Sequence, residues 1–293
     1  MQKLPTTITT PDGLALHLRL WPADTGMPVR GTVLIVHGLG EHIGRYAHVA
    51  ARLNAAGWTV AGHDQRGHGA SEGGRGVLAH ADSLLRDLAL VIDAVRAAHP
   101  GPLVLLGHSL GGLVAARFVA GGVAPTPAER EWHRSVDALV LSSPALNAGM
   151  SSAQRLLLAA TAPLTPNLAV GNGLQAEWLS HDAAVVQAYR DDPLVHDRIT
   201  PRLAQFIVDA GTLVQKRAAQ WSVPTLLLYA GADRCVAPAG SRSFAAIVPQ
   251  GVVTAREWPA LFHEIFNEPE QDEVLGMLVG WLAGFQGGNS AGP

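Results

Sequence analysis

Along most of the chain, apolar residues fall in one of two patterns that belong to a layered sheet protein. Leu14, Leu16, Leu18 and Leu20 alternate with Ala15, His17, Arg19 and Trp21. This is the two-residue repeat of a half-buried strand near a sheet edge, and Pro11-Asp12-Gly13 turns the chain into it. Residues 32–37 (TVLIVH) are instead apolar on successive positions, so both faces are covered, as in a central parallel strand with helices above and below. Strand-like runs recur at 58–63, 103–106, 138–143 and 223–229. Between them, helical spacing predicts helices over 45–56 and 82–98, the latter burying Leu84, Leu85, Leu88, Val91, Ile92 and Val95 on one face. Residues 125–134 read as a polar loop. A helix over 240–247, a strand over 252–257 and a helix over 269–285 close the chain, and 287–293 reads as a frayed tail. The alternation lapses once. From 147 to 220 the pattern is helical, broken by Pro163, Pro166, Pro193 and Pro201, with no clear strand. Strands alternating with helices predict an α/β fold around a mostly parallel sheet, with 147–220 inserted over the ends of its last strands.

Composition narrows what such a fold can do. With 293 residues, 48% apolar and 15% charged, the chain can bury a large core, and one domain with an insertion is favoured over two equal ones. A formal charge of −3 without a basic run argues against nucleic acid and against electrostatic attachment to anionic lipid. Cys235 is the single cysteine, which excludes an intrachain disulfide and a cysteine metal cluster. No stretch of roughly 18 apolar residues occurs without a charge or a break, and the first residues hold no apolar signal segment. These features predict a cytoplasmic protein that acts on a neutral small molecule.

The chemistry centres on Leu103-Val104-Leu105-Leu106-Gly107-His108-Ser109-Leu110-Gly111-Gly112-Leu113, an apolar strand, a serine between glycines, and a helix-forming run. A serine held at a sharp strand-to-helix turn has a strained backbone, so its neighbours must be small. Gly107 and Gly111 supply that space. The helix that follows directs its first N–H groups at charge developing beside Ser109. This G-x-S-x-G elbow makes Ser109 the candidate nucleophile.

A serine hydroxyl needs a base, and the base needs a group to orient it. When serine stands first, acid and then histidine follow along the chain. Of the 13 histidines, His133, His181, His196 and His263 come after Ser109. Only His263 falls in a loop just beyond a strand, where it can reach the elbow's edge of the sheet. Asp233, directly after the strand over 223–229, stands at a carboxyl end of the sheet, where open α/β folds place their chemistry. Asp64 precedes the serine, Asp209 and Asp272 read as solvated helix residues, and Glu264 and Glu268 as surface or capping residues. His108 points away from the nucleophile into a structural hydrogen bond. The oxyanion hole needs two convergent N–H groups. Leu110, after the nucleophile, supplies one, and Leu39 in the turn His37-Gly38-Leu39-Gly40 the other. Nothing calls for a metal or cofactor: there is no His-Glu-x-x-His spacing and no G-x-G-x-x-G placed in a nucleotide-binding unit.

Taken together, these residues resemble the monoglyceride lipase and lysophospholipase branch of the serine α/β-hydrolases. The resemblance runs nearly end to end: Gly13-Leu14 to Trp21, His37-Gly38-Leu39-Gly40-Glu41-His42 with Gly44-Arg45-Tyr46, Asp64-Gln65-Arg66-Gly67-His68-Gly69-Ala70-Ser71, Gly107 to Gly112, Ser142-Ser143-Pro144-Ala145, Gly231-Ala232-Asp233-Arg234 and His263-Glu264. It implies an α/β-hydrolase core over 1–146 and 221–293, with a helical cap over 147–220 inserted after the sixth strand. It also implies hydrolysis of carboxylic esters of monoacylglycerol type. Leu156, Leu157 and Leu158 in the cap are candidate substrate-binding residues, forming an apolar rim that takes up acyl chains or touches lipid aggregates. Cys235 is expected near the site as a passive loop residue. A general carboxylesterase or lysophospholipase and a proline-iminopeptidase-type peptidase share this machinery, and a non-catalytic small-ligand receptor on the same fold is the alternative from another class. A serine at the elbow disfavours dehalogenases and epoxide hydrolases, which need a carboxylate there.

Overall fold

Alternate side chains of the central strands enter two separate apolar layers, and this is why those strands carry apolar residues without a break. In the computed structural model, which describes residues 3–24, 26 and 28–285, the chain begins with strands β1 (Thr7–Thr9) and β2 (Ala15–Trp21). It continues through β3 (Gly31–Val36), helix α1 (Ala47–Ala55), β4 (Trp58–His63), α2 (Ser83–Ala98), β5 (Leu103–His108), α3 (Ser109–Ala120), α4 (Pro127–Trp132) and β6 (Ala138–Ser142). The inserted stretch then contributes α5 (Ser152–Thr161), β7 (Val170–Gly171), α6 (Ala183–Asp191), β8 (Arg198–Ile199) and α7 (Pro201–Arg217). Strand β9 (Thr225–Ala230), α8 (Pro238–Ile247), β10 (Val253–Trp258) and α9 (Gln271–Gly284) complete the described chain.

The main sheet has eight strands in the order β1-β2-β4-β3-β5-β6-β9-β10. Pairing is antiparallel for β1 with β2 and for β2 with β4, and parallel from β4 onward. Leu34, Val36, Leu103 and Leu105 pack on one side with α2 and α3; Val33, Ile35, Val104 and Leu106 pack on the other with α1 and α9. With the carboxyl ends of β3, β5, β6, β9 and β10 at one rim, the loops that leave them converge there.

Four features differ from the sequence reading. Residues 125–134 are not simply a loop: Pro127–Trp132 is helical, begun by a reciprocal cap in which Thr126 Oγ1 accepts the Glu129 N–H at 3.3 Å and Glu129 Oε2 accepts the Thr126 N–H at 2.8 Å. The stretch 147–220 does contain strand, the two-residue antiparallel pair β7–β8, too short to give a periodic signal. Strand β1, with only three residues, is likewise too short for a periodic signal. Finally, the helix expected over 45–56 opens with a 3-10 turn, Ile43–Tyr46, before α1. The tail at 287–293 lies outside the described residues.

The inserted stretch is held unevenly. Helix α7 puts Leu203, Phe206, Ala210 and Val214 into the same apolar layer as α3. Helix α5, on the far side, leaves Leu156 74% and Leu157 65% exposed and buries only Leu158. Among the described residues, no helix is long and apolar enough to cross a membrane.

Candidate active site

Ser109 stands where β5 becomes α3, with φ at +53°. A side chain with a Cβ rarely adopts such a backbone, and it persists here because the surroundings leave no alternative. A Cβ on Gly111 would collide with the carbonyl oxygens of Val36 and His37. Glycine at this position therefore lets the first turn of α3 lie directly on the end of β3. The elbow is a consequence of close backbone packing.

Asp233 follows β9 and His263 follows β10. Asp233 Oδ2 and His263 Nδ1 lie 2.6 Å apart, with both side chains almost fully buried. The other carboxylate oxygen, Oδ1, accepts the N–H groups of Cys235 (2.8 Å) and Val236 (3.0 Å). The carboxylate is thus fixed in rotation and cannot swing away from the imidazole. Burial alone would raise the Asp233 pKa, but the imidazole and the two N–H donors outweigh it and hold the carboxyl below its ordinary value. Burial alone would depress His263; Asp233 first, then Glu264 and Glu41, reverse that and hold the imidazole above its ordinary value. A buried pair with a raised base and a lowered acid is suited to receive a proton at the imidazole.

Ser109 opens onto a cavity of about 270 Å³ whose walls are mostly apolar, including Met150, Leu174, Ile199 and Ile207. Leu39 and Leu110 both line it, so the two residues chosen for their backbone N–H groups face the same space as the serine. Cys235 lines it too. Its sulfur, a ring nitrogen of His263 and a carboxylate oxygen of Asp233 lie within 4.8 Å of one another. Cys235 thus connects the wall that holds Ser109 with the Asp233–His263 pair behind it. Those three atoms are of metal-ligand type, but the carboxylate and imidazole are engaged with each other and burial, aided by Asp233, pushes the thiol up, away from the thiolate form a metal needs. His108 donates or accepts toward Ser142 Oγ at 3.0 Å, the expected structural bond, and its ring also packs 4.8 Å from that of His263.

Other expectations fare differently. Leu156, Leu157 and Leu158 do not line the cavity: the first two face outward and the third is buried within the inserted stretch. Helical spacing marked an apolar face without telling which face turns inward. The actual walls come from four separate segments: Met150, Leu174 and Ile199 are isolated apolar residues that carry no periodic signal, and Ile207 lies beside the face that α7 buries. Glu264 and Glu268 are buried, not surface residues. Glu268 Oε1 accepts the Phe262 N–H at 2.5 Å and Oε2 the His181 N–H at 3.0 Å. Around them runs a seam in which the His263 N–H donates to Trp178 O (3.4 Å), the Glu264 N–H to Leu179 O (2.8 Å) and Ser180 Oγ to Asn267 O (2.9 Å). The loop that carries His263 is thereby stitched to the inserted stretch.

Comparison with known proteins shows the family. Residues 27–270 match the family Hydrolase_4, described as serine aminopeptidase, S33. A monoacylglycerol lipase from Mycolicibacterium smegmatis is 37% identical over 92% of this chain and 93% of its own. A monoglyceride lipase from Homo sapiens is 31% identical over 91% of this chain and 85% of its own. The crystal structure of Paleococcus ferrophilus monoacylglycerol lipase superposes with a TM-score of 0.79 at 33% identity, covering 91% of this chain and 98% of that one.

Proposed function

The chain belongs to the Hydrolase_4 family, among the monoglyceride lipases of the serine α/β-hydrolases, and is a carboxylic ester hydrolase; on that footing we propose that its substrates are monoacylglycerols and that Ser109, His263 and Asp233 cleave them through an acyl-enzyme. In this reading the Ser109 hydroxyl attacks the ester carbonyl while His263 takes its proton. The N–H groups of Leu110 and Leu39 receive the negative charge that forms on the carbonyl oxygen. Asp233 stabilises the imidazolium, which then protonates the departing glycerol oxygen. Water repeats the sequence and releases the fatty acid. The observation that carries the reading is the buried 2.6 Å Asp233–His263 contact beside an apolar cavity walled by Ser109.

The same cavity disfavours a peptidase. An aminopeptidase substrate brings a cationic amine, which needs a carboxylate, and no acidic residue is among those that line the cavity. We take 147–220 as the cap, with Leu156 and Leu157 as the part that touches lipid aggregates; their exposure supports that role. A cytoplasmic setting is supported by the single cysteine. Turnover measured on a chain-length series of monoacylglycerols, on p-nitrophenyl esters and on an aminoacyl anilide tests the proposal. Fastest turnover on monoacylglycerols is expected. Preference for short p-nitrophenyl esters would make the protein a general carboxylesterase, and failure of a fluorophosphonate to label Ser109 would make it a non-catalytic binder.

A further inference from the structure

Three loops must be in register for the proposed chemistry: the glycine turn with Leu39, the elbow, and the loop that carries His263. The elbow is set by packing against β3. The other two are linked to each other through Arg45. Arg45, in the 3-10 turn after the glycine turn, sends Nη1 to Glu264 Oε1 at 2.6 Å and Nη2 to Glu264 Oε2 at 2.7 Å, a two-pronged contact with the neighbour of His263. Its Nη1 also reaches Glu41 Oε2 at 2.7 Å. The remaining oxygen of Glu41 accepts the Gly38 N–H and the Tyr46 hydroxyl, each at 2.6 Å. Gly38 is the residue before Leu39, and a Cβ built on it would come within 3.2 Å of Ser109 Cβ. From the cap, the Tyr189 ring packs 4.9 Å from the guanidinium carbon.

Nothing in the folding of the sheet requires this arrangement. Two carboxylates and a guanidinium have been taken out of water, where apolar residues of similar volume are often as stable. What the ions provide is direction, since a planar fork fixes both distance and orientation where a lysine or an apolar contact would not. We propose that Arg45 is a positioning residue: held between Glu41 and Glu264, it sets the Leu39 N–H and the His263 imidazole at a fixed separation across Ser109. The cluster carries one more carboxylate than cation, and that surplus lies beside the imidazole that becomes charged in the reaction. The proposal rests on the serine hydrolase reading above.

The test compares wild type, Arg45→Met, Arg45→Lys and Glu264→Gln. Fluorophosphonate labelling rate, kcat and KM on one ester, thermal midpoint and the pH profile of kcat/KM are read for each. For Arg45→Met, kcat and labelling rate should fall about 10²-fold with KM little changed, the size of effect that small misplacement of catalytic groups produces. Arg45→Lys should recover little, because it cannot make the fork. Arg45→Met combined with Glu264→Gln should be no worse than Arg45→Met alone, as for two parts of one device. His263 is faced by Asp233, Glu264, Glu41, His108 and Cys235, so removing the Glu264 charge should move the acid limb of Glu264→Gln to lower pH. A purely structural role would not move that limb. Labelling of Arg45→Met at the wild-type rate, additive losses in the double variant, or an unmoved acid limb in Glu264→Gln would overturn the proposal. If Arg45→Met does not fold, Glu264→Gln decides by its acid limb and labelling rate. Absence of labelling in the wild type would instead overturn the serine hydrolase reading.

Discussion

The rim of the sheet and α5 of the inserted stretch are built to opposite tolerances. At the rim, Ser109 holds a left-handed backbone, Gly111 lies too close to β3 for a methyl group, and both oxygens of Asp233 are engaged. On α5, Leu156 and Leu157 face outward and are largely exposed. On the function proposed above, the contrast separates two kinds of work. Proton transfer needs groups placed to a fraction of an ångström, and backbone packing supplies that. Taking up a greasy substrate needs only apolar surface in the right quarter.

The largest effect that could break this contrast is at the nucleophile. Ser109→Ala should lower ester turnover by about 10⁴ or more while leaving the fold intact; initial rates and circular dichroism check it, and a variant that keeps most of its activity contradicts the assignment. Next comes Gly111→Ala, where the added methyl meets two backbone oxygens that cannot yield. A loss of about 3 kcal/mol in unfolding free energy is expected, measured by urea titration, together with lost activity. Replacing Leu156 and Leu157 together by Ser should cost under about 0.5 kcal/mol in stability. Turnover of long-chain monoacylglycerol in micelles should fall about 10-fold, with short soluble esters unaffected. Equal losses on both substrates would erase the division of labour.

The smallest effect sharpens the contrast by pH. His263 must be neutral to accept a proton, so activity falls as pH drops through its pKa. Because that pKa is raised, the acid limb of kcat/KM should have its midpoint above the ordinary histidine value. The α5 double variant should leave that midpoint where it is. A shift in it would mean that the outer helix reaches the proton-transfer groups after all.

How much was legible follows the same division. Ser109, Asp233 and His263 stand out as candidates because strand ends advertise themselves: an unbroken apolar run stops and a loop begins. Glu264 and Glu268 were misread because a carboxylate beside a loop histidine reads as solvated unless its partners are known. Those partners, Arg45 and the backbone of His181, come from more than 80 residues away in the chain. The Thr126-Pro127-Ala128-Glu129 cap was in plain sight and outweighed by the polarity of its neighbours. Three of the cavity walls had no signature, since Met150, Leu174 and Ile199 each look unremarkable until folding collects them, whereas Ile207 stands in the apolar pattern of α7.

The hydrogen-bonded seam between Trp178–Ser180 and the residues around His263 has a consequence for anyone who would recombine these enzymes. An inserted stretch transplanted whole from a relative brings its own chain path at that seam, and would retune the recipient's histidine even if every sheet residue were kept. Exchanges confined to α5, upstream of Trp178, leave the stitching undisturbed. Varying the outer surface of the inserted stretch therefore has a natural splice point, with variation welcome on one side and inheritance required on the other.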